Sequence, residues 1–552
     1  MITITEAIYE DGAIVRHPII VLSGTVSKQH TDYIVVSNET FNTSHIWPLI
    51  SGRFKALVHL CSGSNQLLFR HGFYTKRLYF KLIVPQTPYI VQPIYITSKD
   101  GDGRFQAPPG VDNSPSSALE RISLGAALLQ TFTAVNLTSH GFQSQTFQMP
   151  IDQDSWLPVC KVFRSKLTTK ELFGLSEKEL WRNLARELME STIPERYTTK
   201  FLGFFADSRY NGTGWKSSWR HADVIAATKG HAALGGGGLA LLSTCTLHTW
   251  ADSIDKLVKC LTDDTNMDVT KFMDDSAYRS TYWANYSTGL GAALHELGHT
   301  FDLSHTQTGI MSRGFDNMHK FFVMDNAYPV SAEREREANK LELLKCQIAL
   351  LSSQANSKPF VSSNTSTCSL VKNLSFNSTS LANTELSSLS DKESLIPNTE
   401  RQFNSINAVH SSSSGAKYST HLPASAGLTQ ASPSTVLKAA TASFWSKESA
   451  LMLSTSRWFM PADEQPSKSH RVKPNLTSDG NLQTRHGLRV VQLYSKCLDR
   501  IVYSEAVTPR THDQPSNFTS SKDSYHKTSC DRHQCSVLHL RDVYGQLHTI
   551  DI

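Results

Sequence analysis

The sequence predicts a multidomain α+β chain, and three observations predict it. Short apolar runs bounded by turn residues crowd the first 110 residues, helical and strand periods alternate after them, and a long Ser- and Thr-rich stretch has no period at all. At 552 residues the chain is too long for one core, so two or three domains are expected. The divisions read from pattern are a β-sandwich-like domain over 1–110, a mixed α/β domain over 111–351, a low-complexity linker or insertion over 352–439, and a helix with a small C-terminal β region over 440–552.

Each element has its own signal. Pro18–Val26, Tyr33–Val36, Lys55–Leu60, Arg77–Val84 and Tyr89–Ile96 read as strands separated by turn clusters such as Ser62–Asn65 and Lys99–Gly103, a spacing that suits a β-sandwich. Asp112 to Ser114 followed by Pro115 supplies an N-cap and a first-turn proline, and Leu119, Ile122, Ala126, Leu129 and Phe132 continue at helical period. Lys200–Ala206 reads as a buried strand. Gly235–Gly238 leads into the apolar run Leu239–Leu247 without the Gly-Lys-Ser/Thr ending of a phosphate loop, so it reads as an edge strand and not as a nucleotide site. His231, His248 and Trp250 beside it read as packed residues. Ala440–Leu453 is helical in pattern, and Gly487–Leu493, Arg500–Tyr503 and Ser536–Leu540 read as strands.

Composition excludes several classes. A net charge of +5 over this length builds no basic stripe, so no nucleic-acid partner is expected. No run of 18 apolar residues occurs, so no membrane insertion is expected. The first residues lack a basic segment followed by an apolar one, and nine scattered cysteines form no disulfide framework; a cytoplasmic or nucleocytoplasmic protein is the expectation. Cys530 and Cys535 with His526 and His533 fit no standard zinc module. The Ser-rich stretch 352–439 carries too little apolar surface to offset ordering and is expected to be disordered.

The most informative segment is His295-Glu296-Leu297-Gly298-His299. On a helix, two histidines four apart project from one face about one turn from each other, and both can reach one metal ion. Glu296 lies beside them as a general base, which makes this the zinc-peptidase motif H-E-x-x-H. Leu290, Ala293, Leu294 and Leu297 give the helix a core-facing stripe, with Ser287 or Thr288 as the expected N-cap. His305 follows six residues after His299 and extends the match to the long metzincin form. In metzincins a glycine makes the turn that returns the third histidine; here Asp302 stands at that position, a residue that tolerates left-handed backbone better than most. Gly309-Ile310-Met311-Ser312-Arg313-Gly314 resembles the Met-turn that floors the metal in that group. Arg313 and His319 are candidates to meet an oxyanion. A gluzincin-type site would instead draw its third ligand from Glu333, Glu335 or Glu337, which fit better as the solvated first turns of an amphipathic helix with Ala338, Leu341, Leu344, Ile348 and Leu351 on its buried stripe.

The wider pattern resembles a eukaryotic family of zinc metalloproteinases related to yeast-type proteins with a C-terminal jacalin-like lectin domain. The resemblance lies in the His295–Thr300 run with His305, in Gly309–Asp316, in Gly235–Gly238, and in the later Arg457–Phe459 and Gly487–Val491 segments. It implies a metzincin-like α/β zinc protease domain over 111–351 but no particular substrate. The expectation is therefore a zinc metalloprotease with one Zn2+ per chain on His295, His299 and His305, cleaving a polypeptide substrate through a zinc-bound water activated by Glu296. The alternative is a catalytically silent binding or scaffold protein whose flanking β domains recognise glycan or protein. An intact Glu296 weighs against that alternative.

Overall fold

The computed structural model describes residues 1–5, 9–28, 30–191, 198–324, 445–459, 475–476, 482–484, 488–496, 498–506, 516–518, 536–542 and 546–551. The expected helix over 331–351, the Ser-rich stretch 352–439 and the Cys530–Cys535 segment lie outside them. The described residues carry mixed α+β structure in several sheets, as the sequence predicts. All of them fall within one compact unit, Met1–Leu343 with Ser432–Ile552.

Two sheets occupy the N-terminal part. One joins Ile2–Ile4, Ile19–Val26 and Arg53–His59; the other orders Ile14–Val15, Tyr74–Leu82, Gly63–His71, Tyr33–Asn38 and Thr43–Pro48, antiparallel apart from its first pair. Their inner residues, including Leu22, Ile34, Phe54, Ala56, Leu67 and Phe69, are buried in one cluster. Ser62–Asn65, read from sequence as a turn, instead opens the nine-residue strand Gly63–His71. The polar Asn65 is tolerated there because its amide donates to the Cys61 and Gly63 carbonyls while its oxygen accepts from Asn38.

The strand expected last in that sandwich belongs elsewhere. Ile90–Thr97 pairs in parallel with Lys161–Arg164 on one side and Thr199–Phe205 on the other; Leu239–Ser243 extends the parallel set, and Ala233–Gly236 closes it as an antiparallel edge. The sequence of Ile90–Thr97 is consistent with this place, because seven of its eight residues are buried, as a strand covered on both faces requires. The helix Pro115–Ser139 packs on the sheet, capped by Ser114, whose side chain accepts from the Ser117 N–H, with proline in the first turn.

The second long helix, Tyr282–Thr300, carries the histidine motif. Its N-cap is Thr281, six residues before the expected start. Ser287 and Thr288 are buried inside it, where their hydroxyls are taken up by the Asp316 carbonyl and by the Arg279 guanidinium. The C-terminal part forms a helix, Lys447–Ser454, and an antiparallel sheet ordered Arg500–Ala506, Leu488–Ser495, Ser536–Asp542 and Leu547–Asp551.

Candidate metal centre

The helix Tyr282–Thr300 contains three glycines, each a cost of about 1 kcal/mol in an ordinary helix. Close packing explains two of them. A β-carbon on Gly291 would collide with the Phe315 carbonyl, and one on Gly298 would come within 2.6 Å of the Met311 sulfur. The segment after the motif is thereby pressed against the helix, and Met311 is fully buried with its sulfur against Gly298.

The helix ends in a Schellman turn. The Leu303 N–H donates to the Gly298 carbonyl (3.1 Å) and the Asp302 N–H to that of His299 (3.2 Å), with Asp302 in the left-handed region at φ +67°. Asp302 therefore makes the turn that glycine usually makes, and the chain doubles back to bring His305 alongside His295 and His299. The ring centroids lie 4.8 Å (His295 to His299), 4.9 Å (His299 to His305) and 5.4 Å (His295 to His305) apart.

Each imidazole is oriented by its Nδ1. His295 Nδ1 donates to the Ile310 carbonyl (2.6 Å), His299 Nδ1 to that of Leu303 (2.9 Å), and His305 Nδ1 to Asp499 Oδ2 (3.0 Å). Carbonyl and carboxylate oxygens only accept, so in all three rings Nδ1 carries a proton, and Nε2 is the nitrogen that serves as metal donor when the ring holds one proton. The three rings offer donor atoms within 4.8 Å of one another, and among the described residues no other group of His, Cys, Asp or Glu is placed to hold a metal. Three imidazoles, each anchored through Nδ1, are a donor set that fits zinc. Burial and the neighbouring His305 lower the His299 pKa to about 4, so near neutral pH the ring is already in its ligating form.

Glu296 follows His295 directly in the same helix. Burial pushes its carboxyl up to about 8, opposed by a hydrogen bond from the Gly235 N–H and aided by the Glu177 charge. A divalent cation beside it would draw that value down again. Gly235 belongs to the edge strand, and only glycine fits there, because any β-carbon would strike the Glu296 backbone. The edge strand's neighbouring outward donor, Ala233 N–H, is bonded to Glu177 Oε1 at 2.8 Å.

Of the other residues singled out in the sequence, Arg313 pairs with Asp316 (3.1 Å) and lies over the Phe315 ring, with 68% of its side chain exposed. His319 is buried against Ser287 and Trp283, two turns up the helix from His295, about 12 Å along its axis. It belongs to the core and does not join the cluster. His248 and Trp250 are buried packing residues. Sequence reasoning missed Asp499, Arg541 and Glu177, none of which carries a local motif.

Residues 3–402 match the family described as "Putative peptidase family". A Schizosaccharomyces pombe protein named a "putative zinc metalloproteinase" is 25% identical over 312 residues, 51% of this chain and 48% of that protein. One of the same description from Saccharomyces cerevisiae is 26% identical over 337 residues, 57% of this chain and 48% of its own length. The chain thus spans about half the length of the curated relatives it matches. Crystal structures of OgpA from Akkermansia muciniphila, one of them a catalytically inactive form in complex with an O-glycopeptide substrate, align over 85% of this chain and 94% of theirs at 12% identity and a TM-score of 0.41 for that complex. On the match across most of its length, the chain belongs to this peptidase family.

Proposed function

We propose that the protein is a zinc-dependent endopeptidase in which His295, His299 and His305 hold the ion and Glu296 is the general base. The observation that carries this reading is the set of three imidazoles with every Nδ1 tied to an acceptor and ligand atoms within 4.8 Å of one another, two of them on the same helix as a partly buried carboxylate. A zinc ion bound there supplies Lewis acidity, polarising a peptide carbonyl and making water easier to deprotonate. Glu296 takes the proton from the attacking water and returns it to the leaving amine. The Gly235 N–H holds that carboxylate in place, and the Phe315 ring packs edge-on against His295 as apolar surface that limits water. The substrate is a polypeptide. The N-terminal sheets serve either as scaffold or as a surface for glycan or protein. No described helix is long and apolar enough to cross a membrane.

The test compares newly formed protein termini in cells expressing wild type or Glu296→Gln, with metal content measured on both purified proteins. Wild type should carry about one zinc per chain and generate termini that the variant does not, while the variant keeps its zinc. A metal-free, well-folded wild type, or a variant that cleaves like wild type, overturns the assignment; the second outcome would leave a binding or scaffold role.

A further inference from the structure

Two ties from the C-terminal sheet reach the ligand loop. The first comes from the turn between Leu488–Ser495 and Arg500–Ala506. There Asp499 Oδ2 accepts from His305 Nδ1 at 3.0 Å, across 194 residues of sequence, and the Ile501 N–H donates to the His305 carbonyl at 3.0 Å. His305 is thus held at both its ring and its backbone by two nearby residues, Asp499 and Ile501. The Asp499 carboxylate is fixed in turn, since its other oxygen accepts from the Tyr494 hydroxyl on the adjoining strand. The second tie comes from Ser536–Asp542. The buried Arg541 guanidinium donates to Asp302 Oδ2 and to the Phe301 carbonyl, both at 3.3 Å, gripping the turn that sends the chain back toward His305.

His295 and His299 need no such help. They stand on a regular helix, and their Nδ1 atoms are bonded to carbonyls within 15 residues of themselves. His305 lies beyond the helix end, on a short loop, with 34% of its side chain exposed. Its only described side-chain hydrogen-bond partner is Asp499. A carboxylate there fixes the tautomer, aims Nε2 at the other two rings and makes that nitrogen a stronger donor.

We infer that Asp499 is a positioning residue of the metal centre, supplied by the C-terminal sheet, and that the sheet completes a site whose ligands all lie in the preceding domain. The inference rests on the three-histidine reading above. It makes the C-terminal sheet part of the enzyme's working core, where an appended module would leave the centre untouched.

Zinc affinity decides it, measured on the full chain by competition with a chromogenic chelator for wild type, Asp499→Ala, Asp499→Asn, Tyr494→Phe and His299→Ala. Asp499→Ala should weaken zinc binding by about 10- to 100-fold, the usual effect of losing a partner that orients a ligand, with Tyr494→Phe weakening it less. The melting temperature of the zinc-free protein should barely move, and the visible absorption band of the cobalt-loaded protein should shift as His305 reorients, which a general loss of packing would not produce. If Asp499→Ala proves poorly folded, Asp499→Asn keeps the shape while removing the charge, and it should still lose affinity and shift the cobalt band. Wild-type affinity and an unchanged cobalt band in the folded Asp499 variants would overturn the inference while leaving the metal site intact. Zinc binding in His299→Ala equal to wild type would instead bring down the three-histidine reading itself.

Discussion

Gly235 on the edge strand and Glu296 on the motif helix meet so closely that the strand's N–H reaches the Glu296 carboxylate while its α-carbon leaves no room for a side chain against the Glu296 backbone. One contact thus fixes both the depth of the helix against the sheet and the aim of the proposed base.

That contact ranks three glycine substitutions. In Gly235→Ala and Gly291→Ala the new β-carbon meets backbone, which cannot step aside; in Gly298→Ala it meets the Met311 sulfur, the far end of a flexible side chain, at 2.6 Å. Helix propensity favours alanine at 291 and 298 by up to about 1 kcal/mol, while overpacking costs about 1–3 kcal/mol or more. Gly235→Ala and Gly291→Ala should therefore lower the urea midpoint clearly, and Gly298→Ala should fall close to wild type. A Gly235→Ala protein as stable as wild type would mean that the strand and helix are not pressed together.

The identity of the third ligand is tested by zinc titration. His305→Ala should cut zinc affinity sharply, because the other two imidazoles and water remain but one charge-donating ligand is gone. Glu333→Ala, Glu335→Ala and Glu337→Ala should each bind zinc as wild type does. An essential glutamate with a dispensable His305 would reverse the assignment.

Much of the helix-borne half of the candidate site was legible because its information is local. The spacing of His295 and His299 fixes their shared face, and Asp302 at the return turn is legible from the same short stretch. The helix start was misread for a physical reason: Ser287 and Thr288 look like caps, but the core accepts them because Asp316 and Arg279 satisfy their hydroxyls. Ile90–Thr97 was assigned to the wrong sheet because a short strand's sequence shows that it is buried but not against what. Asp499 and Arg541 could not be read at all. They act across 194 and 239 residues, and no period or motif links an aspartate just before a strand to a histidine that far away.

Asp302 does two jobs that separate by substitution. Its backbone is left-handed, and its carboxylate partners Arg541, whose side chain is only 1% exposed. Asp302→Asn keeps the backbone preference and a hydrogen-bond acceptor, so it should cost least. Asp302→Gly relieves the left-handed strain of about 1 kcal/mol but deprives the buried guanidinium of its anion. Asp302→Ala loses both and should be the least stable of the three. Thermal denaturation of the zinc-free variants gives the order directly; a glycine variant more stable than wild type would show that the Arg541 pair contributes less than the strain relieved.

Acid sensitivity follows from four buried histidines away from the metal cluster. Burial lowers His17, His59 and His248 to about 4 and His319 to about 3. In the unfolded chain each titrates near 6.5, so below that pH the unfolded state binds protons that the folded state refuses. Their combined contribution is thus fully present above about 6.5 and is lost progressively as the pH falls toward 4, by at most about 1.4 kcal/mol per unit for each residue. The measurement is the urea midpoint of zinc-free protein at pH 7.5, 6.5 and 5.5, so that metal release adds nothing to the slope. Stability should fall modestly between the first two values and about three times as far between the last two. His319→Gln, which removes one titrating group while keeping a polar partner for Ser287, should show a shallower drop. A midpoint that stays flat to pH 5.5 would mean that these rings reach water or accept protons in the folded protein.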